Sequence, residues 1–236
     1  MHEEFKKVAV VSGHASGMGA AVARRLLNAG WHVVGVDIHT TSNNHSELRE
    51  FTVDLASATD LDLLARQLAK MPRIDAVVAA AGIYPQTTLD SVDYETYRQI
   101  FDVNVFGTLG LLQAAKPKLA ETSGMGHIVL FASIDGIRVS PGQLLYSASK
   151  AAVISLTRSL AVELAEDDVL VNAVAPGWVH TAGTGQNDRL SEGIASVPLK
   201  RAADPDEIAG WVMNLVAGTN TYMTGEILKI TGGGAL

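Results

Sequence analysis

Val8-Ala9-Val10-Val11-Ser12-Gly13-His14-Ala15-Ser16-Gly17-Met18-Gly19 decides the fold. Its first four residues are apolar and short enough for a strand buried on both faces. The glycines from Gly13 to Gly19 then read as a tight turn. Ala23, Leu26 and Leu27 follow at i, i+3 and i+4, one face of a helix, and Gly30 suits its C-terminal end.

The same unit repeats outward from there. Val33-Val34-Gly35-Val36 is a second strand ending at Asp37, and Thr52-Val53 ends a third. Leu61, Leu64, Ala65 and Leu68 mark a helix, with Pro72 just beyond it. Ile74 to Ala80 is a strand, and Tyr94 to about Leu119 is one long helical region containing Asn104. Ile128 to Phe131 is a strand, and Ser147 to about Leu164 is a helix. Val169 to Val174 is a strand stopped by Pro176-Gly177. Pro205 to Val216 is a helix, and Ile227 to Ile230 is a last strand. Alternation of buried strands with helices predicts an α/β fold: a single doubly wound, Rossmann-type, mostly parallel sheet with helices on both faces. No linker or repeat divides residues 1–236, so one domain is expected to carry both binding and catalysis.

Composition narrows the partners. The 236 residues are 47% hydrophobic and 18% charged, enough for a large core. A formal net charge of −7 without a basic block argues against nucleic acid or an anionic membrane surface. There is no cysteine, and the seven histidines include no pair at i,i+3 or i,i+4, so no metal site is expected. The charged start and the lack of an apolar run near ~18 residues suggest neither a leader nor a membrane span, which points to the cytoplasm.

The glycine turn lies between a first strand and a first helix, where backbone N–H groups and the helix dipole suit a pyrophosphate. Gly13, Ser16, Gly17, Met18 and Gly19 are therefore candidate cofactor contacts. Asp37, at the end of the second strand, is placed to accept ribose hydroxyls and to repel a 2′-phosphate. Ser16 is neutral and no Lys or Arg lies in the turn or directly after Asp37, so NAD is expected over NADP.

Tyr146 and Lys150 share one helix face, and among the five tyrosines only Tyr146 has Lys at +4. A phenol titrates near ~10, too high for a base at neutral pH, and a nearby ammonium lowers that value. Ser133 follows a strand end, where ligands sit in open α/β sheets, and could hold a substrate oxygen beside the phenol. Singly, each of these features is common on protein surfaces and in turns.

Together, the glycine turn, Asp37, Asn104, Ser133, Tyr146, Lys150 and Pro176-Gly177 resemble, in order and spacing, the short-chain dehydrogenase/reductases, over Val8 to Gly233. The resemblance implies a catalytic tetrad. Tyr146 would be the acid/base, and Lys150 would lower its pKa and hold the nicotinamide ribose. Ser133 would orient substrate, and Asn104 would support a water that relays protons to Lys150. It also implies Asp54 and Leu55 near adenine, Val179 and Thr181 near the carboxamide, and a homotetramer. The activity implied is NAD-dependent interconversion of a secondary alcohol and a ketone. An epimerase or dehydratase that retains its nucleotide, or a non-catalytic NAD-binding regulatory protein, are the alternatives.

Three departures stand out. Ser12 replaces the usual Thr, Ala79-Ala80-Ala81-Gly82 replaces Asn-Asn-Ala-Gly, and Thr231-Gly232-Gly233 replaces Asp-Gly-Gly. Ala80 and Ala81 would then meet the cofactor through backbone alone. The short segment between Asp37 and Asp54 requires an abbreviated helix, which is similar to dihydrodiol dehydrogenases and suggests a cyclic diol or another small hydroxy compound as substrate. Gln143, and with it Asp135, is expected at the substrate pocket. Trp178 either walls that pocket or packs on the core, and His180 reads as a solvated loop residue. Gly183 to Arg189 is polar enough to be a segment that closes over substrate.

Overall fold

The computed structural model describes residues 6–122, 124–138, 140–181 and 188–235. Seven strands form one sheet in the order β3-β2-β1-β4-β5-β6-β7. They are β1 (Val8–Ser12), β2 (His32–Asp37), β3 (Leu48–Thr52), β4 (Ala76–Ala79), β5 (Gly126–Phe131), β6 (Val169–Pro176) and β7 (Ile227–Ile230). Every pairing is parallel, so the antiparallel edge that a mostly parallel sheet would allow is not found among the described residues.

Helices cover both faces. Val8 and Val10 point into a core shared with α2 (Ala58–Leu68), α4 (Gly107–Glu121) and α5 (Leu144–Glu163). Ala9 and Val11 point the other way, toward α1 (Gly17–Asn28) and α7 (Pro205–Val216). Alternation with period two thus feeds two separate cores from one strand. Two further helices are α3 (Tyr94–Phe101), which packs against α5, and α6 (Asp188–Ser196), whose Gly193 meets the Trp178 indole just after β6. The strand order reverses between β1 and β4, which opens a crevice at those ends. No helix among the described residues is long and apolar enough to cross a membrane.

Several boundaries differ from the sequence expectation. β5 begins at Gly126, and β6 runs on to Pro176. The fourth strand is shorter, Ala76–Ala79. The long helical region is α3 and α4 joined through a π-helical turn, Asp102–Phe106, centred on Asn104. No helix joins β2 to β3; residues 38–47 make turns instead. Finally, α5 begins at Leu144 rather than Ser147, because a distant residue caps it. Thr87 takes the Leu144 N–H on its carbonyl at 3.1 Å and the Leu145 N–H on its hydroxyl at 3.0 Å. Those donors would otherwise be orphaned at a helix start, and the cap comes from 58 residues away in sequence.

Candidate active site

Two clefts meet at the C-terminal edge of the sheet, and Met18 and Thr181 border both. The larger holds about 1420 Å³ of atom-free space open to solvent, the smaller about 880 Å³. The glycine turn lines the larger through Gly13, Ser16, Gly17 and Gly19. Its backbone is tightly folded: a Cβ on Gly19 would stand 2.1 Å from the Gly13 carbonyl oxygen, and Gly13 has φ +69°. Ser16 is the N-cap of α1, yet its side chain makes no capping hydrogen bond. Gly17, Met18 and Gly19 of the first turn line the cleft, and Ser16 does not cap their N–H groups. This is what a pyrophosphate needs, and the residues present fit a dinucleotide.

Several of the other expected nucleotide contacts line the same cleft, whereas Val179 and Tyr146 line only the smaller one and Lys150 lines neither. Asp54, Leu55, Ala80 and Ala81 line the larger, and Asp37 sits at one end. The Asp37 carboxylate accepts the Ala15 N–H and the His39 N–H, both at 3.1 Å. A carboxylate has about four acceptor positions, so ribose hydroxyls can still be received there. Ser12 answers one of the departures. Its hydroxyl accepts the Ala81 N–H at 3.2 Å, so the turn stays tied to β4 without a threonine methyl. Ile38, His39 and Tyr84 also line the cleft, and the sequence did not single them out.

Ser133, Gln143, Tyr146, Trp178 and Val179 line the smaller cleft. Ser133 follows β5 by two residues and caps a short 3₁₀ turn, with its Oγ accepting the Asp135 N–H at 3.1 Å. Gln143 is buried and lines the cleft while its Nε2 donates to the Gly142 carbonyl at 3.1 Å. Asp135 borders the cleft and accepts from Ser140. Trp178 lines the cleft, and its indole also packs against Gly193 of α6. Arg138 and Tyr84 belong to this cleft too. Arg138 follows the 3₁₀ turn by two residues, and only its nearness to Ser133 could have flagged it. His180 lines neither cleft. Most of the segment expected to close over substrate, residues 183–187, lies outside the described residues.

Tyr146 lies in the first turn of α5, its ring meeting Tyr84 edge-on with centroids 6.0 Å apart. One turn on, Lys150 is buried beneath it. Its Nζ donates to the Phe131 carbonyl at 2.7 Å and lies 5.8 Å from the Tyr146 ring centre. Burial pushes this ammonium down to about 8. Asn104 is fully buried in the π-helical turn. It accepts the Ile83 N–H at 2.8 Å and donates to the Ile83 carbonyl at 2.9 Å and to Ser149 Oγ at 3.0 Å. A Cβ on Gly82 would stand 3.2 Å from Asn104 Oδ1 and 3.3 Å from Lys150 Nζ, so both groups border one small space. The direct partners of the Asn104 side chain are the backbone after β4 and α5.

Known proteins share this architecture. A family profile described as enoyl-(acyl carrier protein) reductase matches residues 13–234. The acetoacetyl-CoA reductase of Acinetobacter sp. (strain RA3849) is 33% identical over 242 residues, covering 97% of each chain. The crystal structure of 3-ketoacyl-(acyl-carrier-protein) reductase from Brucella melitensis complexed with NADH superimposes with TM-score 0.90, at 27% identity and over 98% of each chain. A short chain dehydrogenase family protein from Francisella tularensis subsp. tularensis SCHU S4 gives TM-score 0.88 at 26% identity, covering 97% of this chain and 98% of that one. With the glycine turn, both clefts and the buried lysine in place, the chain belongs to the short-chain dehydrogenase/reductase family and is an oxidoreductase that uses a nicotinamide dinucleotide.

Proposed function

We propose that the protein is a ketoreductase that reduces the 3-oxo group of a small acyl thioester to a secondary alcohol, with NADH as reductant. The observation that carries this reading is the buried Lys150 ammonium under Tyr146, whose ring faces the same cleft as Ser133, where that cleft joins the nucleotide cleft. A bound nicotinamide dinucleotide supplies the hydride. Tyr146 donates its hydroxyl proton to the substrate oxygen, and Lys150 favours the phenolate left behind. Ser133 holds the same oxygen through its hydroxyl. Asn104 is a positioning residue: it fixes the backbone after β4 against α5 and thereby sets the height of Lys150.

NADH is preferred on charge. Asp37 stands at the ribose end, and no Lys or Arg lines the nucleotide cleft among the described residues. Nothing there would neutralise a 2′-phosphate. The thioester is suggested by the acetoacetyl-CoA and 3-ketoacyl reductases to which the chain is similar. Those relatives lend no support to a cyclic diol.

The assembly proposed is a homotetramer. Leu144, Ala148, Ala151, Ser155 and Val162 form an exposed, mostly small and apolar stripe along α5, interrupted by the exposed Arg158; Tyr94 at the start of α3 and Phe106 just before α4 are exposed too. Such a stripe permits close helix approach by a second copy. Light scattering at micromolar concentration is expected to give four times the mass of one chain.

The test of function is nicotinamide absorbance during turnover. Acetoacetyl-CoA, a simple 3-oxo ester and a cyclic cis-diol are each supplied with the reduced or oxidised form of NAD and NADP. NADH oxidation with the thioester is expected to be fastest. Turnover of the diol alone would move the substrate class, and no turnover with any pair would reject the enzymatic reading.

A further inference from the structure

His14 occupies the second position of the glycine turn, where a solvent-facing residue would suffice, yet its ring is buried to 3% exposure. The ring lies over Gly35 of β2, where a Cβ would stand 2.4 Å from His14 Cδ2. Gly35 is the register partner of Glu50 on β3, so the vacant position on β2 lets the imidazole reach across to the edge strand. His14 Nε2 and Glu50 Oε1 are 2.7 Å apart. A carboxylate can only accept, so Nε2 carries the proton. The same oxygen takes the Thr41 N–H at 2.9 Å and the Thr41 hydroxyl at 2.8 Å.

Thr41 lies in the segment that replaces a helix between β2 and β3. From it a chain of short-range bonds runs on: Asn43 N–H to Thr41 Oγ1 at 3.2 Å, His45 N–H to Asn43 Oδ1 at 3.1 Å. The middle of the loop is therefore tied through Thr41 to Glu50, while its ends are held at Asp37 by the His39 N–H and at Glu47 by Lys6 and the Val33 N–H, and Glu50 is in turn tied to the glycine turn. The next residue of the turn, Ala15, donates to Asp37. The turn is thus tied at adjacent residues to both acids, one at the ribose end of the cleft and one behind it. Ile38 and His39, at the start of the loop, line that same end.

We propose that His14 and Glu50 are positioning residues for the adenosine end of the cofactor site: they hold the 38–47 loop and Asp37 in the shape that receives a ribose with free 2′ and 3′ hydroxyls. This rests on the reading that the larger cleft binds a nicotinamide dinucleotide. Neither side chain lines that cleft, so their effect reaches the ligand through Asp37, Ile38 and His39. Burial opposes the Glu50 charge, and the bonds from His14 and Thr41 outweigh that penalty, holding its carboxyl below the usual range. The pair is therefore a carboxylate acceptor under working conditions.

The test is equilibrium binding to the full chain, read by NADH fluorescence, with ADP and nicotinamide mononucleotide as competing probes. Glu50→Ala is expected to raise the dissociation constant for NADH about tenfold, the scale of one charge-assisted hydrogen bond. ADP is expected to weaken by a similar factor, and nicotinamide mononucleotide not at all. NADPH should lose less than NADH, because a loosened loop relieves part of its exclusion. Glu50→Gln, which keeps an acceptor, is expected to recover most of the NADH affinity. Thr41→Val, at a half-buried loop position outside the hydrophobic core, removes the hydroxyl bond to Glu50, and is expected to weaken ADP about threefold even if Glu50→Ala does not fold. Equal weakening of ADP and the mononucleotide, or unchanged ADP binding in Glu50→Ala and Thr41→Val, would overturn the assignment. Wild-type protein that binds neither NADH nor NADPH would instead remove the reading of the cleft itself.

Discussion

Lys150 Nζ donates to the Phe131 carbonyl at 2.7 Å, which fixes a buried ammonium to the end of β5, two residues before Ser133. The bond joins the elements that carry the proposed acid and the proposed substrate-holding hydroxyl. Its electrostatic cost has a sign that can be tested. Burial lowers the folded pKa to about 8 from the ordinary 10.5. Between those values the unfolded chain binds the extra proton, so stability rises with pH across that window. Below 8 the fold bears the whole cost of the buried charge. Lys150→Met removes this cost but leaves the Phe131 carbonyl without its donor, a loss of about 1–3 kcal/mol. The two offset, and stability at pH 7 is expected to stay within about 2 kcal/mol of wild type. Any advantage of the variant should shrink as pH rises from 8 toward 10.5, a trend read by denaturant titration. Turnover, by contrast, is expected to fall more than a hundredfold.

Tyr146→Phe separates proton transfer from packing. The ring, its edge-on contact with Tyr84 and its place over Lys150 are retained, while the hydroxyl is lost. General acid–base catalysis contributes roughly 10²–10⁴-fold, so kcat is expected to drop by that factor. NADH affinity should change less than threefold, because the pyrophosphate and adenosine contacts lie in the other cleft. Near-normal turnover would remove Tyr146 from the reaction.

The indole of Trp178 shapes the substrate cleft from behind as well as within. A Cβ on Gly193 in α6 would stand 2.1 Å from Trp178 Cε2, so the helix rests directly on the ring. In Gly193→Ala either α6 lifts or the indole moves into the cleft, at a cost of about 1–3 kcal/mol. Substrate KM is expected to rise about five- to tenfold while NADH affinity holds. Trp178 is one of three tryptophans, and Trp31 is buried in the core, so an altered emission spectrum accompanies the shift. An unchanged KM would show that the wall is not set by this contact.

The glycine turn, the alternating strands and the residues at strand ends were legible because each obeys a local rule of periodicity or turn chemistry. Met18, Asp37, Asp54 and Leu55 fall on one cleft because parallel strands bring all their C-terminal ends to one edge. What escaped the sequence depends on partners far along the chain. The start of α5 at Leu144 needs Thr87, and the burial of His14 needs both Gly35 and Glu50. The π-helical turn at Asn104 has no local signal, since its side chain is stabilised by Ile83 and Ser149. The shortened connection after Asp37 was visible as a length, and only the structure shows that no helical turn remains in it.

Asp37 carries the proposed cofactor preference. Its two oxygens already receive the Ala15 and His39 N–H groups, which orient the carboxylate at the ribose end of the cleft. A ribose with free hydroxyls donates to such a group, whereas a 2′-phosphate brings a like charge of nearly two units against it. Asp37→Ala removes both effects, so the two cofactors respond in opposite directions. NADH is expected to bind about tenfold more weakly, the loss of a charge-assisted hydrogen bond or two. NADPH is expected to bind more tightly than in wild type, with no cation gained to hold it strongly. The ratio of the two dissociation constants should therefore approach one rather than invert. Asp37→Asn refines the point: it keeps an acceptor and the contact to Ala15 while removing the charge, so NADH should lose less than in the alanine variant while NADPH gains as much. Raising the salt concentration should narrow the wild-type preference and leave the two variants nearly unaffected, because screening weakens only the charge–charge part. A wild-type protein that binds NADPH as well as NADH, with no response to Asp37→Ala, would show that discrimination does not reside at this carboxylate.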